Sequence, residues 1–76
     1  MRYFYEYRYK SGVIVGGHNL ENITIKDNTI FLQGVDIIPT YYDEEYSYWS
    51  QILNMNEIEY LKIEPMQEIE EGDSNE

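Results

Sequence analysis

Arg2-Tyr3-Phe4-Tyr5-Glu6-Tyr7-Arg8-Tyr9-Lys10 places a tyrosine at every second position from 3 to 9. Successive side chains of an extended chain point to opposite faces. This spacing therefore puts Tyr3, Tyr5, Tyr7 and Tyr9 on one side of a strand and Arg2, Phe4, Glu6, Arg8 and Lys10 on the other. It is the clearest periodic signal in the chain, and it sets a β class for the whole. Lys10-Ser11-Gly12 then offers a turn in which Gly12 can take a positive φ, and Val13-Ile14-Val15 follows as β-branched strand material, so the two runs predict a hairpin.

Gly16-Gly17-His18-Asn19 interrupts the pattern as a loop or bulge. Beyond it, Asn22-Ile23-Thr24-Ile25-Lys26 and Thr29-Ile30-Phe31-Leu32-Gln33-Gly34 flank the pair Asp27-Asn28. Both residues of that pair tolerate left-handed geometry, which predicts a second hairpin. Val35-Asp36-Ile37-Ile38 extends the last strand or begins another, and Pro39, lacking a ladder donor, is expected at an edge or a strand end.

Residues 41 to 53 admit two readings. As a helix, Tyr46, Trp49, Ile52 and Leu53 share a stripe, with Asp43, Glu44 and Glu45 at the N-terminal end of the dipole. As a strand, Tyr46, Tyr48 and Ile52 lie on one face, and Trp49 and Leu53 on the other. The preference of Tyr, Trp and Ile for pleated surfaces favours a strand over Ser47 to Leu53. Asn54-Met55-Asn56 reads as a turn, Ile58 to Ile63 as a final strand, and Pro65 as its stop. The expected fold is all-β, or mainly β with one short helix. It is a five- or six-stranded antiparallel barrel or curved sheet over residues 1 to 64, followed by an acidic disordered tail from 65 to 76. In outline this order resembles small SH3-like or Sm-like barrels, a likeness that carries no functional residue with it.

The 76 residues fit one domain, and at this length only roughly 60% of the unfolded surface can be buried. There is no cysteine, so no disulfide or thiolate zinc site staples the core. The N-terminal residues carry charges and lack the apolar run of a signal peptide, and nowhere do eighteen consecutive apolar residues occur. The chain is therefore expected in the cytoplasm, that of a host if it is phage-encoded. Asn22-Ile23-Thr24 matches a glycosylation acceptor but has no chemistry without a secretory route.

Fifteen acids against 5 bases give a net charge of −10; residues 1 to 63 contribute −4, and the six acids from Glu64 onward stand without a single Lys or Arg. Such a balance repels phosphate backbones and anionic membranes and attracts basic protein surfaces. Four tyrosines in a stripe could stack bases, but that mechanism needs a cationic groove that this composition lacks. Core packing of two or three rings, with the others facing a partner, is the simpler expectation.

The densest candidate site is Tyr41, Tyr42, Asp43, Glu44, Glu45, Tyr46, Tyr48 and Trp49, three adjacent carboxylates among four tyrosines and the single tryptophan. Carboxylates can stand where phosphates lie and rings can fill slots meant for bases. In size and charge the chain resembles DNA-mimicking phage inhibitors, including some anti-CRISPR and anti-restriction proteins. That likeness implies a basic surface on a nucleic-acid-handling protein as partner. The simpler alternative is a solvated acidic loop flanked by core aromatics.

Asp43, Glu44 and Glu45 are contiguous and lack the staggered oxygens and sharp-turn glycine of a calcium loop, so no metal is expected. Contiguous exposed carboxylates do not make an acid–base pair, His18 has no nucleophile pattern around it, and Gly12, Gly16 and Gly17 lead into no helix that would cradle phosphate. No catalytic residue and no cofactor is expected. The leading expectation is a small protein-binding inhibitor that acts by charge mimicry, without binding nucleic acid or membrane itself. The alternative is a structural or adaptor protein that self-associates through strand edges and a tyrosine face.

Overall fold

In a computed structural model, which describes residues 1 to 67, Gly16 and Gly17 do not end a strand but lie inside one. The elements are β1 (Tyr3–Tyr9), β2 (Ile14–Lys26), β3 (Thr29–Pro39), β4 (Glu44–Asn54), a 3-10 turn η1 (Met55–Glu57) and β5 (Ile58–Pro65). All ladders are antiparallel, in the single sheet order β4-β3-β2-β1-β5. This is the mainly β architecture that the alternating sequence predicts.

The division of β2 is corrected. The segments 13–15 and 22–26, read as separate strands, are the two halves of one 13-residue strand. Its first half pairs with β1 and its second with β3, and Leu20 stands in both ladders, opposite Tyr3 and Gly34. Register shifts on either side of Leu20, with Asn19 at φ 66, mark bulges that turn β2 through a corner. The Gly-Gly-His-Asn interruption is thus a bend and not a break. For residues 41 to 53 the favoured strand reading holds and the helical alternative fails: the strand starts at Glu44, earlier than the expected Ser47, and pairs residue by residue with β3, from Pro39 opposite Glu44 to Thr29 opposite Asn54.

The hairpin signals hold. Gly12 has φ 104, and Asp27 and Asn28 have φ 53 and 63, the left-handed pair of a two-residue hairpin turn. Pro39 is the last residue of β3 and Pro65 the last of β5. Residues 65 and 66, expected in the tail, are held by the sheet. Pro65 still pairs with Tyr3, and Met66 N–H donates to Arg2 O (2.9 Å) while its Sδ accepts from Asn19 N–H (3.4 Å). The disordered character expected further along falls on residues 68 to 76, outside those described.

Curvature brings β4, at one edge of the sheet, over β1. β1 and β4 are three strand steps apart, about 14 Å in a flat sheet. Yet Tyr7 Oη donates to Gln51 Oε1 (2.6 Å), Gln51 Nε2 donates to Tyr5 Oη (2.8 Å), and the Tyr5 and Trp49 rings are 5.6 Å apart. The sheet therefore curls over these side chains. Buried Tyr5, Tyr7, Leu20, Ile30, Leu32 and Leu53 form the core, with Tyr3, Tyr9, Trp49, Leu61 and Ile63 packed against it. η1 straps one end: Met55 N–H donates to Asn28 O (2.8 Å) and Lys10 N–H to Glu57 O (2.9 Å). No ladder joins β4 to β5 among the described residues, so the architecture is a curved sheet and not a closed barrel.

Candidate functional site

The tyrosine stripe of β1 is consumed by the core. Tyr5 and Tyr7 are buried, Tyr3 and Tyr9 are half-buried against them, and the rings of Tyr5, Tyr7 and Tyr9 pack at centroid distances of 6.1 and 5.6 Å. The stripe as a whole is therefore not an open row of rings on which successive bases could stack.

The β3–β4 hairpin is different. Its connection Thr40-Tyr41-Tyr42-Asp43 is locked at its base: Thr40 N–H donates to Asp43 O (2.7 Å), Thr40 Oγ1 both donates to Asp43 O (2.8 Å) and accepts from Asp43 N–H (3.0 Å), and Asp43 Oδ1 accepts from Glu44 N–H (2.8 Å). At the tip, Tyr41 and Tyr42 are 89% and 91% exposed and meet edge to face at 4.7 Å. Turn chemistry favours Gly, Asn, Asp, Ser or Pro at such positions. Nothing in the packing requires two aromatic rings there.

Behind the tip, alternation along β4 divides the expected site. Glu44, Tyr46 and Tyr48 point to the outer face, where Tyr46 pairs across from Ile37 and Tyr48 from Val35; Tyr48 is 78% exposed. Glu45, Ser47 and Trp49 point to the inner face. Trp49 is half-buried against Tyr5 and over Gly34, whose absent side chain makes room for the indole. Of the eight expected site residues, the hairpin thus brings together Tyr41, Tyr42, Asp43, Glu44, Tyr46 and Tyr48 on its tip and outer face. It places Glu45 on the opposite side and withdraws Trp49 into the edge of the core.

Charge is segregated in the same direction. No Lys or Arg occurs between Lys26 and Lys62, while Asp27, Asp36, Asp43, Glu44, Glu45, Glu57 and Glu59 do. On the β1–β5 side, bases meet acids. Lys62 Nζ lies 3.9 Å from Glu6 Oε2, and Arg8 Nε lies 3.0 Å from Glu59 Oε1, with its N–H aimed off the carboxylate, so that the latter is a charge pair without an aligned hydrogen bond. Tyr60 Oη also donates to Glu6 Oε2 (2.7 Å), and that bond raises the Tyr60 pKa. The hairpin carboxylates have no such cationic neighbours in sequence or register.

The residues that sequence reasoning missed lie on the inner face of the same arm. Asp36 pairs with Ser47, two positions beyond Gly34 opposite Trp49, and its Oδ1 accepts from Asn19 Nδ2 (3.3 Å). With Tyr5, Gly17, His18, Trp49 and Gln51 it lines a shallow, solvent-open cavity of about 230 Å³. The stretch from 27 to 61 carries acids and no base, but it singles out no one carboxylate, so the sequence alone does not mark Asp36.

Among the described residues no three His, Asp or Glu side chains come together as metal ligands, and no helix is long and apolar enough to cross a membrane. No family model, curated protein or solved structure matches the chain.

Proposed function

We propose that this chain is a small protein-binding inhibitor that seats its acidic, tyrosine-tipped β3–β4 arm on a basic surface of a nucleic-acid-handling protein and blocks it by imitating nucleic acid. It works by occupancy rather than catalysis, as an anti-defence protein of a phage or mobile element would in a host cytoplasm. The observation that carries this reading is the tip itself: Tyr41 and Tyr42 almost fully exposed on a hydrogen-bonded turn, flanked by Asp43, Glu44 and Glu45. Exposed tyrosine on a pre-ordered loop offers large contact area with few rotors to freeze. Adjacent carboxylates without counter-charges steer that tip toward cations and away from phosphates.

The test is capture from a bacterial lysate on the immobilised chain, with duplex DNA as competitor. A nucleic-acid-handling protein that is retained, released by added DNA, and lost with the triple variant Asp43→Asn, Glu44→Gln, Glu45→Gln supports the reading. A retained partner that DNA does not displace contradicts mimicry.

One observation favours self-association as a second reading. Among the described residues β4 leaves its outer edge unpaired, it carries no charge from Tyr46 to Asn54, and such an edge is a template for another strand. Sedimentation of the pure protein at high concentration decides it: a strict monomer removes this reading, and a discrete oligomer that the substitution Tyr48→Lys dissolves establishes it.

A further inference from the structure

The cavity at the foot of the arm has a composition that the binding role described above does not yet use. Its floor is aromatic. Tyr5 is held by the hydrogen bond from Gln51 Nε2, and Gln51 is fixed in turn by the hydroxyl of buried Tyr7, so the ring next to Trp49 cannot swing away. Gly17 and Gly34 are the only residue type that fits beneath Tyr5 and Trp49, because a Cβ at either would run into the ring above it. Two rings at 5.6 Å and a 41° tilt therefore form a rigid wall, and the half-buried indole keeps part of its surface open to the cavity.

The rim is anionic. Among the described residues, Asp36 is the one carboxylate lining the cavity, beside His18; it accepts from the Asn19 amide, and neither Lys nor Arg lines the site. The β3–β4 register places Glu45 on the same inner face, one side-chain step, roughly 7 Å, beyond Ser47 and away from Trp49. A path of carboxylates thus leads from the arm down to the aromatic wall. A cation over an indole face with a carboxylate at its edge is attracted by both the ring quadrupole and the charge, and a planar guanidinium can stack while it hydrogen-bonds. Neutral and anionic groups gain neither.

The geometry points to this cavity as a receptacle for an arginine side chain, the guanidinium lying against Trp49 and its edge on Asp36. This deepens, and rests on, the reading of the chain as a binder of basic protein surfaces: the tip makes the first encounter, and the cavity takes one anchoring arginine of the partner.

The full chain is titrated with acetyl-arginine-amide and, separately, with the uncharged isostere acetyl-citrulline-amide. Binding is read by the fluorescence of the single tryptophan and by the chemical shifts of the Gln51 side-chain amide and the Gly17 amide. The expected result is a saturable change with arginine and none with citrulline. Asp36→Asn, an isosteric change at an exposed position, should weaken arginine binding roughly 3- to 10-fold. A response of equal size to citrulline, or one that Asp36→Asn leaves unchanged, overturns the receptacle. Tyr41→Ala with Tyr42→Ala keeps the two proposals apart: this variant should bind arginine as the parent does while losing partner capture. Capture that persists without arginine binding sinks the cavity alone, and arginine binding without DNA-displaceable capture sinks the inhibitor reading.

Discussion

Tyr7 is buried between the rings of Tyr5 and Tyr9, and its hydroxyl donates to Gln51 Oε1. Burial, and after it the neighbouring Tyr9, pushes its pKa from the usual 10.0 up to about 12. The folded state therefore holds this proton more tightly than the unfolded chain. The resulting stability is complete below pH 10 and is lost as pH rises through about 12, an effect on the order of 2 kcal/mol. Denaturation across pH 9 to 12 should show this decline, and Tyr7→Phe should flatten it while costing about 1 kcal/mol at neutral pH through the lost hydrogen bond. Gly34 acts by shape instead. A methyl there meets the Trp49 ring and the Asn19 carbonyl, so Gly34→Ala should destabilise by about 1 to 3 kcal/mol in chemical denaturation. The shared face of the four β1 tyrosines was legible at this scale from their spacing of two, and the burial of Tyr5 and Tyr7 with it; that Tyr3 and Tyr9 also pack inward was not. The direction of Trp49 was legible only once β4 was known to be a strand. Asp36 was not, because a lone acid in an apolar run shows no partner until Asn19 and Trp49 are brought beside it.

Hairpin turns were the elements most readable from sequence, because Asp27-Asn28 and Gly12 specify backbone geometry locally. Both central residues of the Asp27-Asn28 turn sit at positive φ. Asn28→Gly should therefore stabilise the protein by up to ~1 kcal/mol and Asn28→Ala should destabilise it by a similar amount, measured as midpoint shifts in urea. β2 was divided in two because glycines and a His-Asn pair look like a loop when only local preference is weighed. In the fold they serve a strand that must turn a corner, with Leu20 facing the core from both ladders. β4 was ambiguous for a different reason: Tyr46, Trp49, Ile52 and Leu53 satisfy helical spacing as well as alternation satisfies a strand. Pairing with the whole of β3 decides between them, and that is a long-range fact.

Taken whole, the molecule divides into a tyrosine-filled, charge-paired body around β1, β2 and β5 and a base-free arm made of β3 and β4. Composition alone disclosed the excess of acid, but only the topology concentrates it, since the carboxylates at 36 and 43 to 45 share one hairpin while Lys62 and Arg8 face Glu6 and Glu59 on the other side. Affinity for a basic partner should therefore fall steeply from low to high salt, and the pure protein should not retain duplex DNA at physiological ionic strength. The most direct measurement is an amide chemical-shift footprint of the isotopically labelled chain bound to its captured partner. Perturbations concentrated on residues 36 to 49, with the outer faces of β1 and β5 unmoved, are the expected result. A footprint centred on β1 and β5 that leaves Tyr41, Tyr42 and Asp36 untouched would contradict it.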